Sequence, residues 1–313
     1  MKSIHKILIV FLLTHFSYQI SAQKSTDKKE LKQYEDSLKT IAPQILYGDH
    51  DFNKYEASEK FYRILTEALT LKNAFNYPFD SLKTISILKS PDEYFRIFTW
   101  NLRRNDGSYD YFGLVQINPK KANGEALFKL TNSTNKDTNA THEISNIENW
   151  YGASYYKIVQ KKSNKNVYYT LLGWDGNNNL TTRKIIDVIV FDKNGQPEFG
   201  ASIFQTKTDI KTRFIIEYAA YVSSSLKYEK QFMHKGKNKK WMIVFDRVSP
   251  LSPMLAGQYQ FYVPDTDTYD AFIFENGVWK FYEDVDARNP KIKTKKLNTK
   301  KKPEQKIILQ KDK

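Results

Sequence analysis

The sequence predicts an α+β protein: two N-terminal helices followed by a mainly antiparallel β-sheet domain built as a curved sheet, sandwich or barrel. Apolar residues recur at three- and four-residue steps up to about residue 83. From about Thr84 the period shortens to two, and Asn-Gly or Asp-Gly turn signals separate the short apolar runs that follow. Tyr and Phe, 21 and 20 in number, suit pleated, half-buried surfaces better than helices.

The first helix opens on Asp27-Lys28-Lys29-Glu30, which has capping-box spacing, and its face is Leu31, Tyr34, Leu38, Ile41 and Ile45. Pro43 should end it or confine its last turn. The second carries Phe61, Ile64, Leu65, Ala68, Leu69 and Phe75 along one side, a stripe expected to pack in a core, and Tyr77-Pro78 closes the segment. Tyr94–Leu102 then reads as a strand with Arg96, Phe98, Trp100 and Leu102 on one side, returning through Asn105-Asp106-Gly107 into Ser108–Ile117. The polar stretch Asn118–Asn149 reads as an exposed excursion. Gly152–Gln160, with helix as an alternative, and Asn166–Trp174 form the next pair.

Further strands are expected at Ile185–Asp192, Glu198–Phe204, Arg213–Val222, Leu226–Phe232, Trp241–Val248 and Gly257–Val263. Ala271–Phe274 and Val278–Tyr282 close the series around Glu275-Asn276-Gly277, where Asn-Gly supplies the two positive-φ positions of a type I′ turn.

The chain divides into a signal peptide at 1–22, a helical segment at 23–83, the β-rich domain at 84–289 and a Lys-rich tail at 290–313 that is expected to be disordered. Met1 to Lys6 is basic, Ile7–Phe16 is apolar, and Ser21-Ala22 offers a cleavage site. The apolar run is too short to span a bilayer as a helix, which takes roughly 20 residues. The expected product is exported to the periplasm or beyond. With no cysteine in the chain, it is not anchored through an N-terminal lipidated Cys, has no thiolate nucleophile and is held by core burial alone. The net charge of +14 is concentrated in the tail, which has ten Lys against Glu304 and Asp312. The tail could bind an anionic polymer or headgroup, or simply be solvated. It lacks interleaved aromatics, which argues against nucleic acid.

Trp174-Asp175-Gly176-Asn177-Asn178-Asn179 is the most site-like segment. Asp175, Asn177 and Asn179 have the alternate spacing of a calcium loop, where oxygen ligands converge on a hard cation. Leu180 stands where such loops want Gly and Ile186 where they want Glu, so an Asp-Gly turn between strands explains the same residues. The stretch is also similar to the calcium loops of integrin-like propeller repeats, from which Thr181-Thr182-Arg183-Lys184 departs. Asp265, Asp267 and Asp270 form a second acidic cluster, read as general acid–base material or as a loop. Glu283, Asp284 and Asp286 read as a strand-end cluster that could pair with Arg288. Tyr259, Phe261, Tyr262 and Tyr269 could line a glycan platform or a core. Zinc-hydrolase spacing, a Gly-x-Ser-x-Gly elbow and a phosphate-cradling glycine loop are missing from the sequence.

Trp100 to Tyr109, Trp150-Tyr151-Gly152-Ala153, Leu172 to Asn178, Val244 to Pro250 and Asp284 to Asn289 together resemble exported proteins of Bacteroidetes-type bacteria. That family carries no established activity. The resemblance implies an envelope or secreted address and transfers no catalytic residue. The function expected from the sequence is a non-enzymatic exported module that binds an envelope polymer or a protein partner, around Trp174, Asp175, Asp246 and Tyr269. The alternative is a hydrolase using carboxylates such as Asp175, Asp246 or Asp265.

Overall fold

Three antiparallel-rich sheets and a helical layer are stacked face on face. The computed structural model describes residues 27–133, 139–233 and 238–286. The segment expected to be a signal peptide, the basic tail, Arg288 and the middle of the Asn/Thr-rich excursion lie outside these residues. Helix α1 covers 27–47, one turn beyond Pro43, and α2 covers Asp51–Thr70. Among the described residues no helix is long and apolar enough to cross a membrane.

The first sheet has the order β1 (Ser86–Lys89), β2 (Phe95–Arg103), β3 (Tyr109–Ile117), β4 (Leu127–Thr131). Strand β4 lies within the stretch expected to be an exposed excursion. Its short alternation Leu127, Phe128, Leu130 is enough to pair with β3 and bury every second residue. The second sheet is β5 (Ser154–Ser163), β6 (Asn166–Asp175), β7 (Thr181–Phe191) and β11 (Phe214–Ala219), with β8 (Pro197–Phe199) on β7. The segment that could have been helix is therefore strand β5.

The third sheet holds β9 (Phe204–Gln205), β10 (Ile210–Lys211), β12 (Leu226–Phe232), β13 (Lys239–Pro250), β14 (Tyr262–Glu275) and β15 (Val278–Tyr282). Two expectations change here. Gly257–Val263 is strand only from Tyr262, where β14 begins, and is preceded by a 3₁₀ turn, Tyr259–Phe261. The acidic stretch after Pro264 is not a loop but part of β14, bulged opposite the Asp246–Val248 step of β13. Asn276 and Gly277 have φ of 53° and 87°, as the β14–β15 turn requires.

Period-two patterning explains the stacking. In β2, Phe98, Trp100 and Leu102 meet Leu38, Phe61, Leu65 and Leu69 of the helices, while Phe95 and Ile97 turn to the second sheet. In the second sheet, Tyr155, Leu171, Ile185 and Ile189 face the first, whereas Leu172, Ile186 and Val188 face Ile243, Phe245, Phe272 and Trp279 of the third. The outer face of the third sheet, Met242, Val244, Ala271 and Ile273, is covered by Val285.

Polar side chains fix the helical layer to the first sheet. Arg96, buried, donates to the carbonyls of Ala74 and Tyr77 and to Gln116 Oε1 across the strand pair, and Gln116 Nε2 donates to Leu69 O at the end of α2. On α1, Glu35 is buried and accepts from the Tyr77 hydroxyl and the Ser81 amide, both at 2.6 Å. Burial pushes its carboxyl up, but these hydrogen bonds outweigh burial and hold it below the usual range. A depressed folded-state pKa contributes stability above the ordinary glutamate range that is lost as pH falls through the folded value. Glu35→Gln should therefore cost about 1–3 kcal/mol at neutral pH, measured by urea unfolding. The gap from the native chain should close at acid pH as Glu35 protonates.

Candidate functional site

Two polar assemblies stand out: a buried charge network inside the second sheet, and an open cleft at its edge. The network contains Asp175. At the end of β6 this carboxylate is fully buried and accepts from the hydroxyls of Tyr111 at 2.9 Å and Tyr151 at 3.2 Å and from the Asn177 amide at 2.9 Å. Arg183, its register partner on β7, lies 3.8 Å away and donates to Glu217 at 2.8 Å. Burial and then the nearby Asp175 charge raise the phenol pKa of Tyr111 and of Tyr151, so both remain donors.

Further along the same sheet, Asp187 on β7 accepts from Tyr155 at 2.8 Å and stands 2.9 Å from Arg213 Nε. That N–H is off the line to the carboxylate and makes no hydrogen bond, so the contact is ionic. The Arg213 guanidinium also donates to Ala140 O and rests over the Tyr151 ring, linking the two acids through one aromatic. These groups pair with one another within a sheet that is covered on both faces, and the network reads as internal structure.

The calcium spacing is not assembled into a common point. Asn177 Nδ2 turns to Thr181 and Glu217, while Asn179 bridges Arg103 and the Asp106 carbonyl. Among the described residues no group of three His, Asp or Glu side chains is placed to hold a metal ion. The remaining sequence-predicted residues separate by sheet. Trp174, half-buried, packs edge-on against Tyr109. Asp246 and Tyr269 are register partners on β13 and β14, and Asp246 accepts from the Ser225 amide at 2.6 Å. Lys184, opposite Trp174 on β7, has its pKa lowered by burial, with the Asp246 charge opposing the shift. Asp265 accepts from Ser249, Asp270 is paired with Arg247, and Glu283 reaches Lys207.

The cleft is composed of residues that sequence patterning did not single out. It has a volume of about 670 Å³ and lies where the β1–β2, β5–β6 and β7–β8 hairpin ends meet. Tyr169, Phe191, Val167, Val190, Tyr94, Tyr168 and Ile144 line it. Tyr94 packs edge-on against Phe191 at 4.9 Å, and Phe191 in turn meets Phe95 and Tyr169. Asp92, Asp192, Glu198, Lys165, Asn166 and Ser202 supply the polar rim.

Asp92 is held in one pose by Tyr169 Oη and Gln160 Nε2, each at 2.7 Å, and by Ser90 and the Tyr94 amide. Burial pushes this carboxyl up, and the hydrogen bonds from Tyr169, Ser90 and Tyr94 more than reverse the effect. Asp192 accepts from the amides of Asn194 and Gln196 and fixes its own turn. The phenol of Tyr94 is raised by burial, then by Asp192 and Asp92, and stays protonated. The cleft thus offers aromatic faces, the Asp192 and Glu198 carboxylates and a phenol donor, within the size range of small-ligand sites. The turn residues Ser90-Pro91-Asp92 and Asp192-Lys193-Asn194-Gly195 were local signals for these positions; their convergence depends on the stacking.

No family model matches the chain, and no curated protein or solved structure is significantly similar to it.

Two outcomes test the assignment of the Asp175 and Asp187 network to structure. Asp187→Ala leaves the buried Arg213 cation without its ion pair and should lower stability by about 3–5 kcal/mol, read by denaturant unfolding. Millimolar calcium should leave the melting temperature unchanged, because a calcium ion at Asp175 would have to displace the Tyr111, Tyr151 and Asn177 donors.

Proposed function

We propose that this chain is an exported, non-enzymatic binding module and that the cleft beside β5–β8 receives a segment of an envelope polysaccharide. The export address rests on the basic, apolar and small-residue order of the first 22 residues and on the resemblance to exported Bacteroidetes-type proteins. The observation that carries the binding reading is the composition of the cleft: tyrosine faces beside fixed carboxylates. A saccharide presents apolar C–H faces to the rings and hydroxyl donors to acceptors such as Asp192 and Glu198. Lys165, Asn166 and Ser202 at the rim add donors for its ring and glycosidic oxygens.

The electrostatics favour binding over hydrolysis at this position. A general acid at neutral pH needs a raised carboxyl pKa, and Asp92 is shifted the other way. Its oxygens are engaged in holding β1–β2 against β5–β6, so it anchors the edge of the cleft.

Purified peptidoglycan sacculi, co-sedimented with the full chain, provide the test. Tyr94→Ala and Glu198→Gln should each weaken retention by about tenfold, the scale of losing one ring contact or one charged hydrogen bond. Glu198 is exposed, so Glu198→Gln should leave the melting temperature nearly unchanged, whereas Tyr94→Ala also loses its packing on Phe191 and should lower it. Equal retention of both variants and the native chain would remove the cleft from the proposal.

A further inference from the structure

Strands β13 and β14 outrun their sheet. Strand β12 accompanies β13 only as far as Phe245, and β15 accompanies β14 only from Ala271. Beyond the bulge, Val248–Pro250 and Tyr262–Pro264 pair with each other alone and carry a loop at their far end. Between Arg247 and Asp265 there is no charged residue, although 27% of the whole chain is charged. The loop presents its apolar side chains outward: Met254 is 90% exposed, Leu251 60% and Tyr259 45%.

Most backbone amides of this loop are bonded within it, those of Ser252, Tyr259 and Gln260 excepted. The amides of Leu251, Leu255, Ala256, Gln258 and Phe261 donate to carbonyls within it. Those of Met254 and Gly257 donate to the Ser252 and Tyr262 hydroxyls, and Pro250, Pro253 and Pro264 have no N–H to satisfy. A loop in water needs none of this, because water satisfies its amides. An element entering a low-dielectric phase needs both features, since unpaired N–H groups and charges are the two costs of leaving water. The loop is also held rather than loose: two 3₁₀ turns, Pro253–Leu255 and Tyr259–Phe261, shape it, and the second rests on β11.

We propose that the tip of the β13–β14 arm is a lipid-docking element, which inserts Leu251, Met254 and Tyr259 into the interfacial layer of a phospholipid bilayer. It lies outside the cleft and uses none of the cleft residues. The charges return at the base of the arm, with Asp265, Asp267 and Asp270 against Arg247. This acidic collar disfavours an anionic surface, so the attraction is apolar and the matching surface is zwitterionic. That distinguishes the arm from the Lys-rich tail, whose binding would require anionic lipid and weaken with salt.

The chain has no cysteine, so one introduced thiol labels uniquely. The full chain carrying Met254→Cys with an environment-sensitive fluorophore is titrated with phosphatidylcholine vesicles. Its emission should shift to the blue and brighten, and the change should survive about 0.5 M salt, where charge attraction is screened beyond a few ångströms. A label at Asn194→Cys, on the β7–β8 turn, should report nothing. Adding Leu251→Asp to the Met254→Cys chain should weaken partition by about tenfold or more, and because residue 251 is exposed the fold should persist. The proposal is overturned by a silent label at Met254, by equal shifts at Met254 and Asn194, or by binding confined to anionic vesicles at low salt. Self-association of the chain without vesicle binding would overturn it too, since the tip would then be an interface between copies.

Discussion

The second sheet has no side that faces water, and much of the rest of the structure follows from that constraint. Leu171 and Ile185 point one way, Leu172 and Ile186 the other, and both sets are fully buried. Any polar residue on such a sheet must find its partner within the protein. Asp175 finds Tyr111 from the first sheet and Tyr151 from the segment before β5. Asp187 finds Tyr155 and Arg213. The network ties β3, β6, β7 and the segments around 151 and 213 into one body. The carboxylates that look most available in sequence are therefore engaged in structural bonds.

The same stacking creates the cleft. Where three hairpin ends emerge at one edge, the cleft is lined by aromatic residues whose other faces belong to the core, such as Tyr169 against Phe95. Asp92 anchors the edge because the first and second sheets share it through Ser90 on one side and Tyr169 and Gln160 on the other. The edge is held by these hydrogen bonds and by aromatic packing, with no disulfide. The β13–β14 arm follows a different design. It leaves its sheet, sheds its charges and bonds most of its amides within itself, on a surface separate from the cleft.

Local patterning carried far into this fold. Leu38, Phe61 and Leu65 on the helices and Phe98, Trp100 and Leu102 on β2 were each on the expected face, and they turn out to be one core. Turns dictated by neighbouring residues were equally legible, as at Asn276-Gly277, because backbone φ is decided by the residue itself. Legibility failed where pairing overrode composition. Leu127–Thr131 is short and lies in a polar stretch, yet the open edge of β3 recruits it. Pro264 to Asp270 is turn-like in composition, but its place opposite β13 makes it a bulged strand.

The candidate site divides along the same line. Asp175, Asn177 and Asn179 have ligand-like spacing in sequence. Spacing fixes only how far apart side chains emerge, and β6 and its turn send these three to different partners. Sequence by itself determined the fold class, the strand periodicity, most hairpins, the absence of disulfides and the uneven distribution of charge. Each of these depends on residues close together along the chain. Tertiary structure alone decided the order of the layers, the burial of Asp175 and Asp187, the meeting of Asp92, Tyr94, Asp192 and Glu198 in one cleft, and the bonding of most tip amides within the tip. Those arise when surfaces distant in sequence exclude water from one another, and short-range patterning carries no record of which surface will be opposite.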